Sequence, residues 1–164
     1  MQEKITKPTD YFGENLAILL ANKITIVYPN FDSKKFTITI KKNCGHKTLT
    51  QRVELIADAL KANLPADYKK AILILKKIMG DENPNEIGMF KAYYWLMPVG
   101  KFIEKFGLED YETSIKAIEE LTKRNTGEYA IRPFIKQYPT QTLKQMKQWA
   151  KSDNFHCAGW QAKA

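Results

Sequence analysis

The sequence predicts an all-α fold of stacked antiparallel helix pairs, on three observations. Apolar residues recur at the i, i+3, i+4, i+7 spacing of one helix face over most of the chain, most clearly at Val53, Ile56, Ala57, Leu60 and Leu64. The chain restarts at Pro65, near Leu108 and at Pro139, so the spacings of 43 and 31 residues are loosely those of a two-helix repeat. At 164 residues there is chain for one domain and little room for a second, and a single domain over 1–164 is expected.

Each element follows from local pattern. Near the N-terminus, ITIVY (24–28) and FTITI (36–40) are β-branched and alternate with period two, so propensity alone reads a hairpin around PNFDSK. Residues 52–64 form an amphipathic helix, and Pro65 suits the first position of the next. That second helix, 66–79, is strongly apolar and stops at Gly80, after which 81–88 (DENPNEIG) is a polar loop. The aromatic stretch 89–106 carries Pro98, which breaks or kinks a helix there. Tyr111, Ile115, Ile118 and Leu121 mark another amphipathic helix, Tyr129 to Gln137 a short one, and Pro139 opens a last one running to about Lys151. On that last helix Leu143, Met146, Trp149 and Ala150 share one face, while Lys144, Lys147 and Lys151 form a separate stripe.

Composition narrows the function classes. With 44% hydrophobic and 27% charged residues the chain is neither disordered nor fibrous. No apolar run reaches membrane-spanning length and no signal peptide is legible, and Cys44 and Cys157 cannot make a disulfide framework, so a reduced, cytoplasmic protein is expected. The net charge of +8 is uneven: from Lys123 onward eight basic residues face only Glu128 and Asp153. Such an excess suits a polyanion partner, and equally a lysine-rich solubilising surface. With 23 lysines to three arginines, gripping of a phosphate backbone fits better than reading of base edges.

Residue chemistry excludes more than it includes. Cys44-Gly45-His46 and His156-Cys157 are isolated pairs without the four-ligand spacing of structural zinc, and there is no HExxH, P-loop or GxGxxG. The unusual segment is 122–135, TKRNTGEYAIRPFI, where Glu128 is the only acid between Glu120 and Asp153. Arg124 and Arg132 stand four residues to either side, so an i,i+4 arginine can hold the carboxylate ionised. The purely structural alternative is a capping box, with Asn125 as N-cap and Glu128 at N3. Packing between helices accounts for Tyr93-Tyr94-Trp95 most simply, and Trp149 reads as core.

The stretch LTKRNTGEYAIRPFIKQYPTQTLKQMKQWAKSDNFH resembles the HEAT-like DNA alkylation repair family, in particular its AlkC-type members and more distantly AlkD. RVELIADALKANLPADYKKAILIL and FKAYYWLMPVGKFIEKFGLEDYE resemble its upstream parts, and the TGEYAIRPF block is the most specific piece. The resemblance implies a HEAT-like α-solenoid whose basic concave face wraps duplex DNA, which opposes the hairpin at 24–40. It implies a metal-free, cofactor-free monofunctional glycosylase that releases alkylated purines such as 3-methyladenine, with Glu128 at a catalytic acidic position. Phosphate contacts are then expected from Arg124, Arg132, Lys144, Lys147, Lys151 and His156.

The family pattern would continue past His156 with two arginines and Ser-Glu-Gly. Here Cys157 to Ala164 (CAGWQAKA) departs from it, and Lys163 stands where a second functional glutamate would be. The expectation is a chain truncated relative to the family, able to self-associate through an uncapped end. Two readings from other classes accompany the enzyme: an inert DNA-binding helical module, and a protein-interaction scaffold.

Overall fold

The computed structural model describes residues 7–83 and 92–158, excepting the side chains of Phe155 and His156. A 3-10 turn, Pro8–Tyr11, leads into α1 (Glu14–Val27), α2 (Ser33–Asn43), α3 (Leu49–Asn63) and α4 (Tyr68–Ile78). A second 3-10 turn, Tyr94–Leu96, leads into α5 (Met97–Phe106), α6 (Tyr111–Thr122), α7 (Glu128–Gln137), α8 (Pro139–Trp149) and α9 (Phe155–Ala158). No strand occurs among the described residues.

The segment that propensity reads as a hairpin is a helical hairpin, α1 and α2. Phe36 and Ile40, one turn apart, are fully buried, as is Ile24. The β-branched threonines turn inward on their own helices, with Thr25 Oγ1 donating to Ala21 O at 2.8 Å and Thr39 Oγ1 to Lys35 O at 2.8 Å. Within the supposed hairpin turn, Asp32 is the N-cap of α2, its carboxylate accepting from Lys35 N at 2.9 Å. Capping and burial together outweigh a modest intrinsic preference for strand.

Caps set most other boundaries. Thr48 and Gln51 form a capping box at α3, Asp67 caps α4 and Asp110 caps α6. Pro65 therefore sits in the link before α4 and not at its first position, because Asp67 supplies the stronger start. Pro98 does not break the aromatic helix: it lies in the first turn of α5, where its missing N–H costs nothing. Pro139 opens α8 as expected. Gly80, at φ +76°, takes the left-handed conformation just beyond α4. Of the polar loop 81–88, residues 84–88 lie outside the described residues.

The helices stack in two rows, as a HEAT-like α-solenoid. In one row α2 packs on α3, α3 on α5 and α5 on α7, with α8 against α7; in the other α1 packs on α4, α4 on α6 and α6 on α9. Between them runs a continuous core that includes Phe12, Leu16, Leu60, Leu75, Phe102 and Phe134. The rows meet closely at Gly107, where a Cβ would collide with Tyr68 Oη and Ser114 Oγ. Those two hydroxyls bond each other at 2.7 Å, and burial pushes the Tyr68 phenol up to about 12. The starts of α3, α5 and α7 share one edge: Arg52 reaches Thr9 O, Tyr11 packs edge-on to Tyr94, and Asn125 reaches Tyr93 O. That common edge places the segment holding Glu128. Among the described residues no helix is long and apolar enough to cross a membrane.

Candidate nucleic-acid interface

The segment between α6 and α7 is held by polar groups bonded to one another and to backbone carbonyls. Arg124, with its side chain only 11% exposed, donates Nε to Gly80 O at 2.7 Å and a terminal nitrogen to Glu120 O at 2.7 Å and Glu120 Oε2 at 3.1 Å. Burial alone would raise the Glu120 carboxyl, but hydrogen bonds from Lys123 and Arg124 outweigh it and hold the group below its ordinary range. Lys123 is correspondingly raised, chiefly by its hydrogen bond to Glu120. Its carbonyl accepts from Asn83 N at 2.9 Å and Asn154 Nδ2 at 3.2 Å, and Asn125 Nδ2 donates to Tyr93 O at 3.1 Å.

From that fixed base α7 begins. Asn125 Oδ1 accepts from Thr126 N at 2.7 Å, and Thr126 Oγ1 accepts from Glu128 N at 3.2 Å. Gly127 is the N-cap and Glu128 the first helical residue, so the expected capping box from Asn125 to Glu128 does not form. Asn125 is instead buried, with its side-chain amide committed to Tyr93 O in the segment before α5. Gly127 is demanded by space: a Cβ would strike Thr122 Oγ1 and lie 3.1 Å from Ile118 Cγ2.

Glu128 thus emerges at a helix N-terminus with its side chain 37% exposed, and Arg132 donates to its Oε1 at 3.2 Å. The aligned peptide dipoles favour negative charge at this position, as does the guanidinium one turn on. Arg132, 60% exposed, also lies over the ring of the exposed Tyr129, 4.7 Å from its centroid. Carboxylate, guanidinium and aromatic face form one solvent-facing constellation on α7.

The expected pair of arginines around Glu128 is therefore half present. Arg132 is there, whereas Arg124 is consumed by Glu120 and two carbonyls. Lys144, Lys147 and Lys151 are all exposed on or just beyond α8, and among the described residues none is in an ion pair. The side chain of His156 lies outside the described residues. Tyr94 packs edge-on against Tyr11 and Phe12, and Trp95 is buried beneath Lys23, so these rings serve the core. Trp149 is 4% exposed, as its place on the apolar face implies. Among the described residues no three His, Cys, Asp or Glu side chains are grouped to hold a metal.

Sequence reasoning missed Tyr129, which the i,i+3 spacing to Arg132 would have revealed, and Gly127, whose steric role carries no sequence signal. It also paired Arg124 with the wrong acid. Glu120 lies four residues N-terminal to Arg124, the orientation helices favour, while Glu128 lies beyond the helix end.

A solved structure, Pseudomonas fluorescens alkylpurine DNA glycosylase AlkC bound to DNA containing an abasic site analog, superimposes with a TM-score of 0.81 over 96% of this chain at 24% identity. The chain shares the AlkC fold. The uncharacterized protein YhaZ of Bacillus subtilis (strain 168) is 29% identical over 148 residues, 90% of this chain. This chain spans only 42% of AlkC and 39% of YhaZ. No family model matches it.

Proposed function

We propose that the chain acts in DNA alkylation repair, binding duplex DNA and promoting hydrolysis of the N-glycosidic bond of alkylated purines of the 3-methyladenine type. The observation that carries this reading is the half-exposed Glu128 carboxylate at the start of α7, beside Arg132, in a fold shared with a DNA-bound alkylpurine glycosylase.

The chemistry suits so small a set of groups. Alkylation leaves the purine cationic, so it departs with the bonding electrons of the C1′–N bond as a neutral base. Positive charge then develops at C1′ and the ring oxygen of the sugar. An anionic Glu128 stabilises that charge and orients a water, whose oxygen bonds to C1′ and whose proton passes to the carboxylate. Free base and an abasic sugar result. Arg132, Lys144, Lys147 and Lys151 are the proposed phosphate contacts, supported by their exposure. Arg124 belongs to the scaffold in this reading, because its donors are already engaged.

The test is release of methylated purines from methylated duplex DNA, with Glu128→Gln alongside. Gln keeps the size and the bond to Arg132 and removes only the charge. Release that falls about 100-fold or more in the variant supports the reading, since removing one electrostatic stabiliser costs that much elsewhere. Retained duplex binding with no release by the native chain would leave an inert DNA-binding module instead.

A further inference from the structure

A second basic surface lies at the opposite end of the helix row. From Ser33 to Val53 the sequence contains five lysines, Arg52 and His46 with no acidic residue. At about 100° per residue, Lys34, Lys35, Lys41 and Lys42 of α2 fall within roughly 120° of arc. Ile38, 39% exposed, lies at the centre of that arc, while the fully buried Phe36 and Ile40 occupy the other side of the helix.

The neighbouring charges are accounted for. Asp32 is occupied in capping α2, Lys41 pairs with Glu14 at 2.9 Å, and Arg52 donates to Lys47 O and Thr9 O. On the adjoining α3, Glu54 and Asp58 are both bridged by Lys105, at 2.9 and 2.6 Å, which neutralises part of the acidic ridge between α2 and α7. Lys34, Lys35 and Lys42 have no ion pair among the described residues. Two of them stand in the first turn of α2, where a cation opposes the helix dipole and stabilises nothing in the isolated chain. With the terminus itself capped by Asp32, an external anion there would meet the lysines.

We propose that the outward face of α2 is a second phosphate-contact surface for the same duplex that meets α7 and α8; this rests on the duplex-binding part of the function proposed above and not on its catalytic part. α2 and α7 are separated by α3 and α5 in one row. At 8–10 Å per helix-to-helix step, the two surfaces stand roughly 25–30 Å apart, the length of about eight base pairs. A lipid surface fits less well, because a membrane-lying helix needs a broad apolar face and that of α2 is already buried in the core.

The experiment measures affinity of the native chain for an unmodified 20-base-pair duplex across a potassium chloride series, against Lys34→Gln/Lys35→Gln/Lys42→Gln and Lys144→Gln/Lys147→Gln/Lys151→Gln. Circular dichroism confirms helix content in both variants. Each lost phosphate contact lowers the slope of log affinity on log salt by about 0.9, so the α2 variant should lose about 2 to 3 units of slope. An unchanged slope in the α2 variant overturns the inference, as does absence of duplex binding by the native chain at low salt. Vesicles with anionic phospholipid are titrated in parallel; binding to them that the α2 variant alone loses, with the duplex slope intact, assigns the face to lipid and also overturns it. Base release lost in Glu128→Gln with no α2 effect sinks this inference alone. An α2 effect without base release sinks only the glycosylase reading.

Discussion

Arg124 and Arg132 are the same residue type, eight positions apart, in opposite physical situations. Arg124 is buried and makes three hydrogen bonds, two of them to the carbonyl oxygens of Gly80 and Glu120. Arg124→Ala should lower unfolding free energy by about 2–3 kcal/mol, measured by urea titration, because the charged hydrogen bonds of a buried guanidinium are lost. Arg132 is mostly in water, so Arg132→Ala should change stability by no more than about 0.5 kcal/mol. It should nevertheless weaken duplex binding measurably. Equal destabilisation by the two substitutions would refute this division of labour. The spacing around Glu128 was legible in the sequence as two symmetrical i,i+4 relations. The asymmetry was not, because it depends on where α6 ends and on Gly80, which only the fold brings near.

At the scale of elements, helix periodicity was readable wherever burial follows one stripe, as in α3, α6 and α8. It failed at α1 and α2, where isoleucine and threonine alternate with period two and the helix is created by the Asp32 cap and by packing. Proline positions were readable only in part: Pro139 opens its helix as expected, while Pro98 and Pro65 took roles set by neighbouring starts. The beginning of α7 rests on Gly127, which no periodicity announces. Gly127→Ala should destabilise by about 1–3 kcal/mol, since Thr122 and Ile118 leave no room for a methyl group. It should also reduce any Glu128-dependent activity by more than the stability loss explains, checked by assaying at temperatures where the variant is fully folded. Activity preserved at those temperatures would show that the helix start adjusts without moving the carboxylate.

For the molecule as a whole, the two-row solenoid was foreseen from helix pairs and the family resemblance, while its electrostatic layout was seen at one end only. The C-terminal excess of charge stands out in a running count; that of α2 is hidden because the first 122 residues nearly balance, with acids on α3, α6 and their flanks. Internal ionisation also governs pH behaviour. The Glu120 carboxyl is depressed in the folded chain, so its contribution is complete above the ordinary carboxylate value of 4.5 and is lost as pH falls through the lower folded value. Denaturation between pH 3 and pH 7 should therefore show stability falling on the acid side, and Glu120→Gln should flatten that fall; an identical profile would place the sensitivity elsewhere. One last consequence concerns rates. Asn154 reaches back 71 residues to Asn83 O and 31 residues to Lys123 O, whereas the helix pairs of a solenoid are local contacts. Pairs of that kind form quickly, and a clasp across such separations closes only after the repeats beneath it have stacked. A latch that closes after the folding barrier has a kinetic signature: Asn154→Ala should leave the refolding limb of a chevron unchanged and accelerate the unfolding limb, and a slowed refolding limb would place the contact before the barrier.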